Sequence, residues 1–452
     1  MRRPPFHPLL AKELREVASG RALWVMLLIL CPLVGYSFWQ AVVLYGEASA
    51  AARDAPVLAA GLSPLDGVLV PTFGALYVVV TLLFPFVAIR TLGREKETGA
   101  LRLLVQLPYR VPTLIAAKMT AILVAWLAAL VPAASAAVIW ATLGGHLSAP
   151  ETANLVFGHL LYGLLVGAIA LFAASISESS ATAAIVALAF TIGSWVLDFA
   201  LAGQPGALEW FSRLSLTQTL RTFEQGLFPI GLVLGILGAI CGFATLAAVW
   251  LHPGVPLRAK VARSIACVTA VAAVLALGTQ IAVSVDLAAD RRNSFSAADQ
   301  RALAELREPL LITVRLAPED PRYLDLRRNV LTKLERALPH VTIRLATAGQ
   351  SVVGSTGDEA YGEVEYSYGG REDRSRSTSP REILPLLYAL AGRPVPPPST
   401  GEDYPGYPLV AGAYPALLWF FGGLPLLIVL VWWWSRRAPR IRSQQVEAGG
   451  QS

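Results

Sequence analysis

Long apolar runs separated by short charged loops dominate the sequence. Eight of these runs approach or exceed the roughly 20 residues that a helix needs to cross a bilayer. They cover residues 22–45, 68–89, 113–143, 155–175, 181–202, 229–251, 264–285 and 411–434. Between the last two runs the apolar residues become periodic and charged residues become frequent. The pattern therefore predicts an all-α polytopic membrane protein of about eight transmembrane helices, with an inserted domain of different character.

The inserted segment, residues 286–410, has the pattern of a small α/β domain. Helices are predicted at about 296–307, 322–338 and 380–391, and strands at 310–316, 341–345 and 362–368. Alternating helices and strands favour a layered α/β sandwich. The mixed-charge run 371–376 is interpreted as a solvated hairpin or loop, and the proline-rich residues 393–408 as an extended linker.

Composition and charge support this division. The chain of 452 residues is 55% hydrophobic and 15% charged, whereas soluble domains carry about 25% charged residues. Residues 286–410 hold 16 Lys and Arg against 18 Asp and Glu, so the net charge of +6 comes from the membrane part. These values argue against a soluble enzyme and against nucleic acid as a partner. The three cysteines lie in apolar runs and offer neither a disulfide framework nor metal-ligand spacing.

Lys and Arg in the short loops predict the orientation, because such residues tend to stay on the cytoplasmic side. Seventeen basic residues lie on one predicted side: before the first run, between the second and third runs, between the sixth and seventh runs, and after the last run. The loops on the other side hold only three. Both termini are therefore predicted to be cytoplasmic. The resulting domains are an amphipathic entry helix at 1–21, a membrane domain of seven spans at 22–285, an extracytoplasmic domain with its linker at 286–410, an eighth span at 411–434 and a basic tail at 435–452.

Catalytic motifs are missing from the sequence. The P-loop, H-E-x-x-H and G-x-S-x-G patterns are absent, and the five histidines are scattered. His159 and Asp198 fall near the outer ends of their predicted helices, where a solvated position is expected. We therefore predict no catalytic residue, no metal ligand and no cofactor of the chain's own.

One short segment, residues 94–108, carries the clearest functional pattern. Charged residues at its start are followed by Gly99 and then by Leu101, Leu104 and Val105 at helical spacing. This spacing predicts a short amphipathic helix that lies along the membrane surface or docks into a groove of a partner. A plain interfacial helix is the alternative that the periodicity leaves open.

The segment and its continuation to Lys118 resemble the signature of ABC-type export permeases of the second class, which include gliding-motility and nitrous-oxide-reductase-maturation permeases. The matching residues are Glu95, Glu97, Gly99, Leu101, Leu104, Pro108 and Lys118, with departures at Ala100 and Arg102. The resemblance extends over residues 5–251. Residues 286–321 are similar to the start of the auxiliary extracytoplasmic subunit of gliding-type systems, here fused to the permease and shortened.

This resemblance implies a permease subunit of an ABC exporter in the bacterial inner membrane. The permease would pair with a second copy or a related chain and with separate ATPase subunits, which bind the ATP. Coupling is expected at residues 94–108, including Lys96, and at the turn 175–181 with Glu178. Glu95 and Glu97 are the expected polar contacts with the ATPase, and Gly99 provides the turn that lets the helix approach it.

Other classes of function remain open at this point. A second hypothesis is a scaffold or force-transmitting protein, in which the inserted domain binds an envelope partner and no solute crosses the membrane. An intramembrane enzyme is the third hypothesis, and it has the least support because the sequence shows no constellation of nucleophile and base or of metal ligands.

Overall fold

The computed structural model describes residues 6–53, 55–201, 215–281, 283–317, 320–338, 340–345, 361–397 and 404–437. Its membrane region is built from helices, because a helix satisfies its own backbone hydrogen bonds in lipid. These helices are α1 (Phe6–Ser19), α2 (Arg21–Ala51), α3 (Pro56–Ala59), α4 (Val70–Glu97), α5 (Ala100–Gln106), α6 (Val111–Ala129), α7 (Val131–Thr142), α8 (Ala149–Ile176), α9 (Ser180–Leu201), α10 (Leu216–Glu224), α11 (Ile230–Leu251) and α12 (Leu257–Gln280).

Seven helical stretches among the described residues are long and apolar enough to cross a membrane. They are Arg21–Ala51, Leu65–Glu97, Val111–Thr142, Ala149–Ile176, Ile230–Leu251, Leu257–Gln280 and Tyr414–Arg437. The remaining predicted run corresponds to α9, a helix of 22 residues, and the side chain of Asp198 near its end lies outside the described part. The chain is thus a polytopic, mostly helical membrane protein with a small inserted α/β domain, which confirms the predicted fold class.

Close packing in the bundle depends on glycines placed opposite large side chains. A Cβ atom at Gly163 of α8 would overlap the Trp126 ring of α6, and one at Gly35 of α2 would overlap Phe420 of the last span. This last span consists of α17 (Tyr414–Leu418), a π-helical turn (Trp419–Gly423) and α18 (Leu424–Arg437). Small residues let helices approach closely in lipid. The last span therefore packs against the first, although about 360 residues separate them in sequence.

A four-stranded sheet with helices forms the inserted domain. Its strands are β3 (Leu310–Val314), β4 (Val341–Leu345), β5 (Val364–Tyr368) and β6 (Arg371–Ser375), in the order β4-β3-β5-β6 with only the β3–β4 pair parallel. Its helices are α13 (Ala297–Ala304), α14 (Pro321–Leu326), α15 (Thr332–Ala337) and α16 (Pro380–Leu390). The predicted strands are confirmed, and the mixed-charge run forms β6, an exposed edge strand whose charges protect it from pairing with other chains.

The inserted domain makes specific contacts with the membrane bundle. The short strand β1 (Leu227–Pro229) after α10 pairs with β2 (Ser284–Asp286) after α12. Arg292 donates to Ser63 Oγ at 2.9 Å and pairs with Asp66, both in the connection before α4. On the return to the membrane, Tyr45 donates to the carbonyl of Tyr407 at 2.7 Å. The domain is therefore attached at several points around the end of the bundle opposite α1.

Candidate functional site

Four charged side chains meet where α1 packs on α4 and α6, and we call them the buried charge cluster. They are Lys12 and Glu13 of α1, Glu95 of α4 and Lys118 of α6. Glu13 and Lys118 are fully buried, and Glu95 is 3% exposed. Lys118 Nζ lies 3.0 Å from Glu13 Oε2 and 2.7 Å from Glu95 Oε2, the latter an ion pair without hydrogen-bond geometry. Lys12 bridges the two acids from the outer side by pairing with both Glu13 and Glu95. The cluster thus joins three helices that are far apart in sequence.

The local sequence explains why these charges can be buried together. Leu9 of α1 packs on Leu114 and Ala117 of α6, which draws the polar face of α1 onto the bundle. Lys118 also donates to the carbonyl of Thr91 at 2.5 Å, so its ammonium protons have partners. Burial of charge is costly unless it is paired and hydrogen-bonded. The cluster is therefore a strong constraint on how α1, α4 and α6 sit relative to one another.

Protonation within α1 reflects this environment. Burial is the largest influence on the Glu13 carboxyl and raises its pKa, while the Lys118 charge opposes the shift. Burial would lower the pKa of Lys12, but the hydrogen bond and charges of Glu95 and Glu13 outweigh it and raise that pKa to about 12. Glu13, Glu16 and Glu95 lie close enough together to suit a cation. Because Lys12 and Lys118 already pair with these acids, we assign no metal to the cluster.

The next two residues of α4 bind the connection between α8 and α9. Lys96 Nζ donates to the carbonyls of Ala174, Ser175 and Ser177 at 2.7, 2.7 and 2.9 Å. Carbonyls at a helix C-terminus lack partners within the helix and favour a nearby positive charge. Glu97 accepts a hydrogen bond from Ser180 Oγ at 2.5 Å. The two segments singled out from the sequence, 94–108 and 175–181, are thus in direct contact.

Helix α5 begins at a left-handed turn and presents an apolar outer face. Gly99 has φ +74°, and a Cβ atom there would meet nothing within 4 Å. Leu101 packs towards the α1–α6 contact, whereas Leu103 is 67% and Leu107 46% exposed. The left-handed conformation favours glycine. The outer face of α5 is therefore open to a partner or to lipid.

The structure places the predicted site residues in three settings. Glu95 points inward, so its carboxylate is not presented at the surface, where a direct ATPase contact would need it. Lys96 is half-buried against α8. Exposed positions are Glu97, Gly99, Pro108 and Glu178, and half-buried ones are Leu101 and Leu104.

Sequence reasoning missed Lys12 and Glu13 as partners of Glu95. It also missed the exposed leucines, Leu103 of α5 and Leu107 directly after it. A lysine inside an apolar run, as at position 118, is itself a signal, because such residues find a partner or a function. That signal identifies one member of the cluster, whereas its partners depend on the tertiary fold.

The expectation of a solvated His159 is wrong. The ring is 1% exposed, its Nδ1 lies 3.0 Å from the carbonyl of Leu155, and it packs edge-on against Phe73. Its Nε2 lies 3.9 Å from a carboxylate oxygen of Glu224 in α10, and burial raises the pKa of that carboxyl to about 7. The residue is a packed core histidine at the end of the bundle that carries the inserted domain.

Comparison with known proteins bears on the membrane part of the chain. Residues 7–223 match the model of a family described as ABC-2 family transporter protein. The matched region contains all of α1 but its first residue, all of α5 and every member of the buried charge cluster. No curated protein and no solved structure matches the chain significantly. The family match supports an ABC-2 type permease, a membrane component of an ABC transporter.

Proposed function

We propose that this chain is an ABC exporter permease that receives force from a separate ATPase subunit through α5 and the α8–α9 turn. The observation that carries the proposal is the set of contacts made by three consecutive residues, Glu95, Lys96 and Glu97. They connect the start of α5 to α1, α6, α8 and the turn. A displacement applied to α5 therefore acts on several membrane helices at once.

In this mechanism, the residues divide into contact and positioning roles. Leu103 and Leu107 offer an exposed apolar surface to the ATPase, with Glu97 and Glu178 beside it as polar contacts. Glu95 and Lys96 are positioning residues, because their charged groups face the chain's own helices. The chain makes and breaks no bond, and ATP is bound and hydrolysed by the partner.

Finer points of the proposal follow from the resemblance and the charge pattern. Export in the bacterial inner membrane and pairing with a second permease copy come from the resemblance. The excess of basic residues in the α1-side loops supports a cytoplasmic position for both termini, for α5 and for the turn. The inserted domain would then be extracytoplasmic, where an envelope partner could reach it.

Site-specific crosslinking tests the ATPase contact most directly. A photoreactive amino acid at Leu103 should crosslink to a P-loop protein in native membranes, because this side chain is exposed on the outer face of α5. The matched control is Leu324, which is 57% exposed on the inserted domain. A P-loop protein crosslinked from position 103 and absent from position 324 is the expected result.

The charge variant Leu103→Glu provides the functional readout. It should abolish stimulation of the ATPase by reconstituted permease, whereas Leu324→Glu should leave stimulation intact. Crosslinking of Leu103 to lipid alone, with normal ATPase stimulation by the variant, would reduce α5 to an interfacial helix and overturn the proposal. Stimulated hydrolysis with no solute movement would favour the scaffold hypothesis.

A further inference from the structure

A large cleft lies where the inserted domain meets the bundle, at the end opposite the buried charge cluster. Its volume is about 810 Å³, which is within the range of small-molecule binding sites. Its walls are formed by strand β2, the segment leading into α13 and the short helix α15. None of the residues that line this cleft makes the coupling contacts described above.

Positive charge dominates the polar lining of the cleft. Lys333 and Arg336, both of α15, and Arg291 line it, against a single acid, Asp286. Asp286 already accepts hydrogen bonds from the backbone of Ala288 and Asn293 and from Ser294 Oγ. The acid therefore holds its own loop together and leaves the cleft with a net positive charge.

The two α15 cations are held in place by contacts that do not neutralise them. Lys333 lies over the Phe295 ring at 5.7 Å, and Arg336 Nη1 donates to the carbonyl of Asn293 at 2.8 Å. Burial lowers the pKa of Lys333, while the charges of Asp286 and Asp290 oppose that shift. Cations that are oriented in this way bind anions more strongly than freely rotating surface lysines do.

Apolar residues complete the cleft on the side of the membrane. Val283 is 58% and Val285 45% exposed, and both line the cleft. They follow α12, a membrane span that ends at Gln280, so Val285 lies at most about 18 Å from the end of the span. Exposed valines at this level are suited to an apolar chain that leaves the bilayer.

We propose that this cleft binds an amphiphile of the phospholipid class, with an anionic headgroup on Lys333 and Arg336 and an acyl chain along Val283 and Val285. The proposal goes beyond the transport function and does not rest on it. A net positive lining selects an anionic over a zwitterionic headgroup. The valines select a lipid over a free anion.

Native mass spectrometry of the delipidated full-length chain tests the site. The probes are phosphatidylglycerol, phosphatidylcholine and inorganic phosphate. We expect wild type to retain phosphatidylglycerol, and the double variant Lys333→Gln/Arg336→Gln to bind it about tenfold more weakly, since charge-assisted bonds are lost. The control Arg307→Gln/Arg381→Gln removes the same charge from exposed positions outside the cleft and should bind as wild type does.

A second variant tests the apolar wall of the cleft separately from its two cations. Val285→Asp leaves both cations in place, and it should also weaken retention of phosphatidylglycerol. Size-exclusion profiles and melting temperatures close to those of wild type show that the variants are folded. Equal retention by the cleft variants and the control would overturn the proposal. Equal retention of phosphatidylcholine, or full displacement of the lipid by phosphate, would also overturn it.

Discussion

Replacing Lys118 with methionine tests whether the buried charge cluster holds the α1 end of the bundle together. Methionine has a similar length and an adaptable apolar side chain, so the change removes the charge while largely keeping the packing. Lys118 lies 3.0 Å from Glu13 and 2.7 Å from Glu95 and is fully buried. Without it, two buried carboxylates are left with Lys12 as their nearest cation.

The expected cost follows from that geometry. Removing one partner of a buried ion pair typically costs about 3–5 kcal/mol, because the remaining charge is uncompensated. At about 1.4 kcal/mol per factor of ten, the ratio of folded to unfolded protein should fall by more than about 100-fold. Lys12→Met is the matched control, because Lys12 is 33% exposed. It should cost clearly less than Lys118→Met, because solvent at Lys12 screens its pairs with Glu13 and Glu95 and Lys118 still faces both acids.

Reversible unfolding in mixed micelles measures both free energies. Adding Glu13→Gln to Lys118→Met should recover part of the loss, because it removes one uncompensated charge, and the double-mutant cycle isolates the pair. A Lys118→Met variant that loses no more stability than Lys12→Met would refute the reasoning. Additive effects of the Glu13 and Lys118 changes would refute it as well.

Three further outcomes are expected. Gly99→Val forces a β-branched residue to φ +74°, so it should lower ATPase stimulation in vesicles, whereas Gly144→Val, at φ +89° in equally open space at the other end, should not. Gly35→Leu should lower the unfolding free energy by about 1–3 kcal/mol through overpacking against Phe420. Adding it to Phe420→Ala should cost less than adding it to the wild type, because the leucine fills space that the ring leaves, as unfolding in micelles would show. The hydrogen bonds of Arg322 lower the pKa of Asp320, the N-cap of α14, to about 2. Its contribution to stability is present above the ordinary pKa of about 4 and is lost as the pH falls towards 2, so Asp320→Asn should flatten the pH dependence of the melting temperature in that range.

The spans and strands could be predicted because each depends on local pattern. An apolar run of sufficient length has few alternatives to a membrane helix, and the alternation in 310–314 places Leu310, Ile312 and Val314 in the core. The interpretation of 371–376 as a hairpin or loop is confirmed as a hairpin, because β6 pairs with β5 across the turn at Gly369 and Gly370. The choice between hairpin and loop depends on that pairing, which the pattern of a single segment does not contain.

The candidate site could be predicted only in part, for the same reason. Residues 94–108 stand out because a run of charged residues at 94–97 is followed closely by leucines at helical spacing. Glu95 and Glu97 looked equivalent in sequence, yet Glu95 is buried against Lys118 and Glu97 is exposed beside Ser180. Their different roles follow from the rotation of about 100° per residue along α4, which turns one carboxylate to the bundle and the other to the α8–α9 turn.

Helix α8 forms a stiff connection between the α8–α9 turn and the inserted domain. Its 28 residues span about 42 Å, and most of its side chains are buried. At one end Lys96 holds its last carbonyls, and near the other Asn154 donates to the carbonyl of Phe223 at 3.0 Å and to that of Leu227, in β1, at 3.3 Å. Strand β1 in turn pairs with β2, which forms a wall of the cleft. Because each link is a helix, a hydrogen-bonded contact or a paired strand, a displacement at the α8–α9 turn can reach the cleft without passing through a flexible joint.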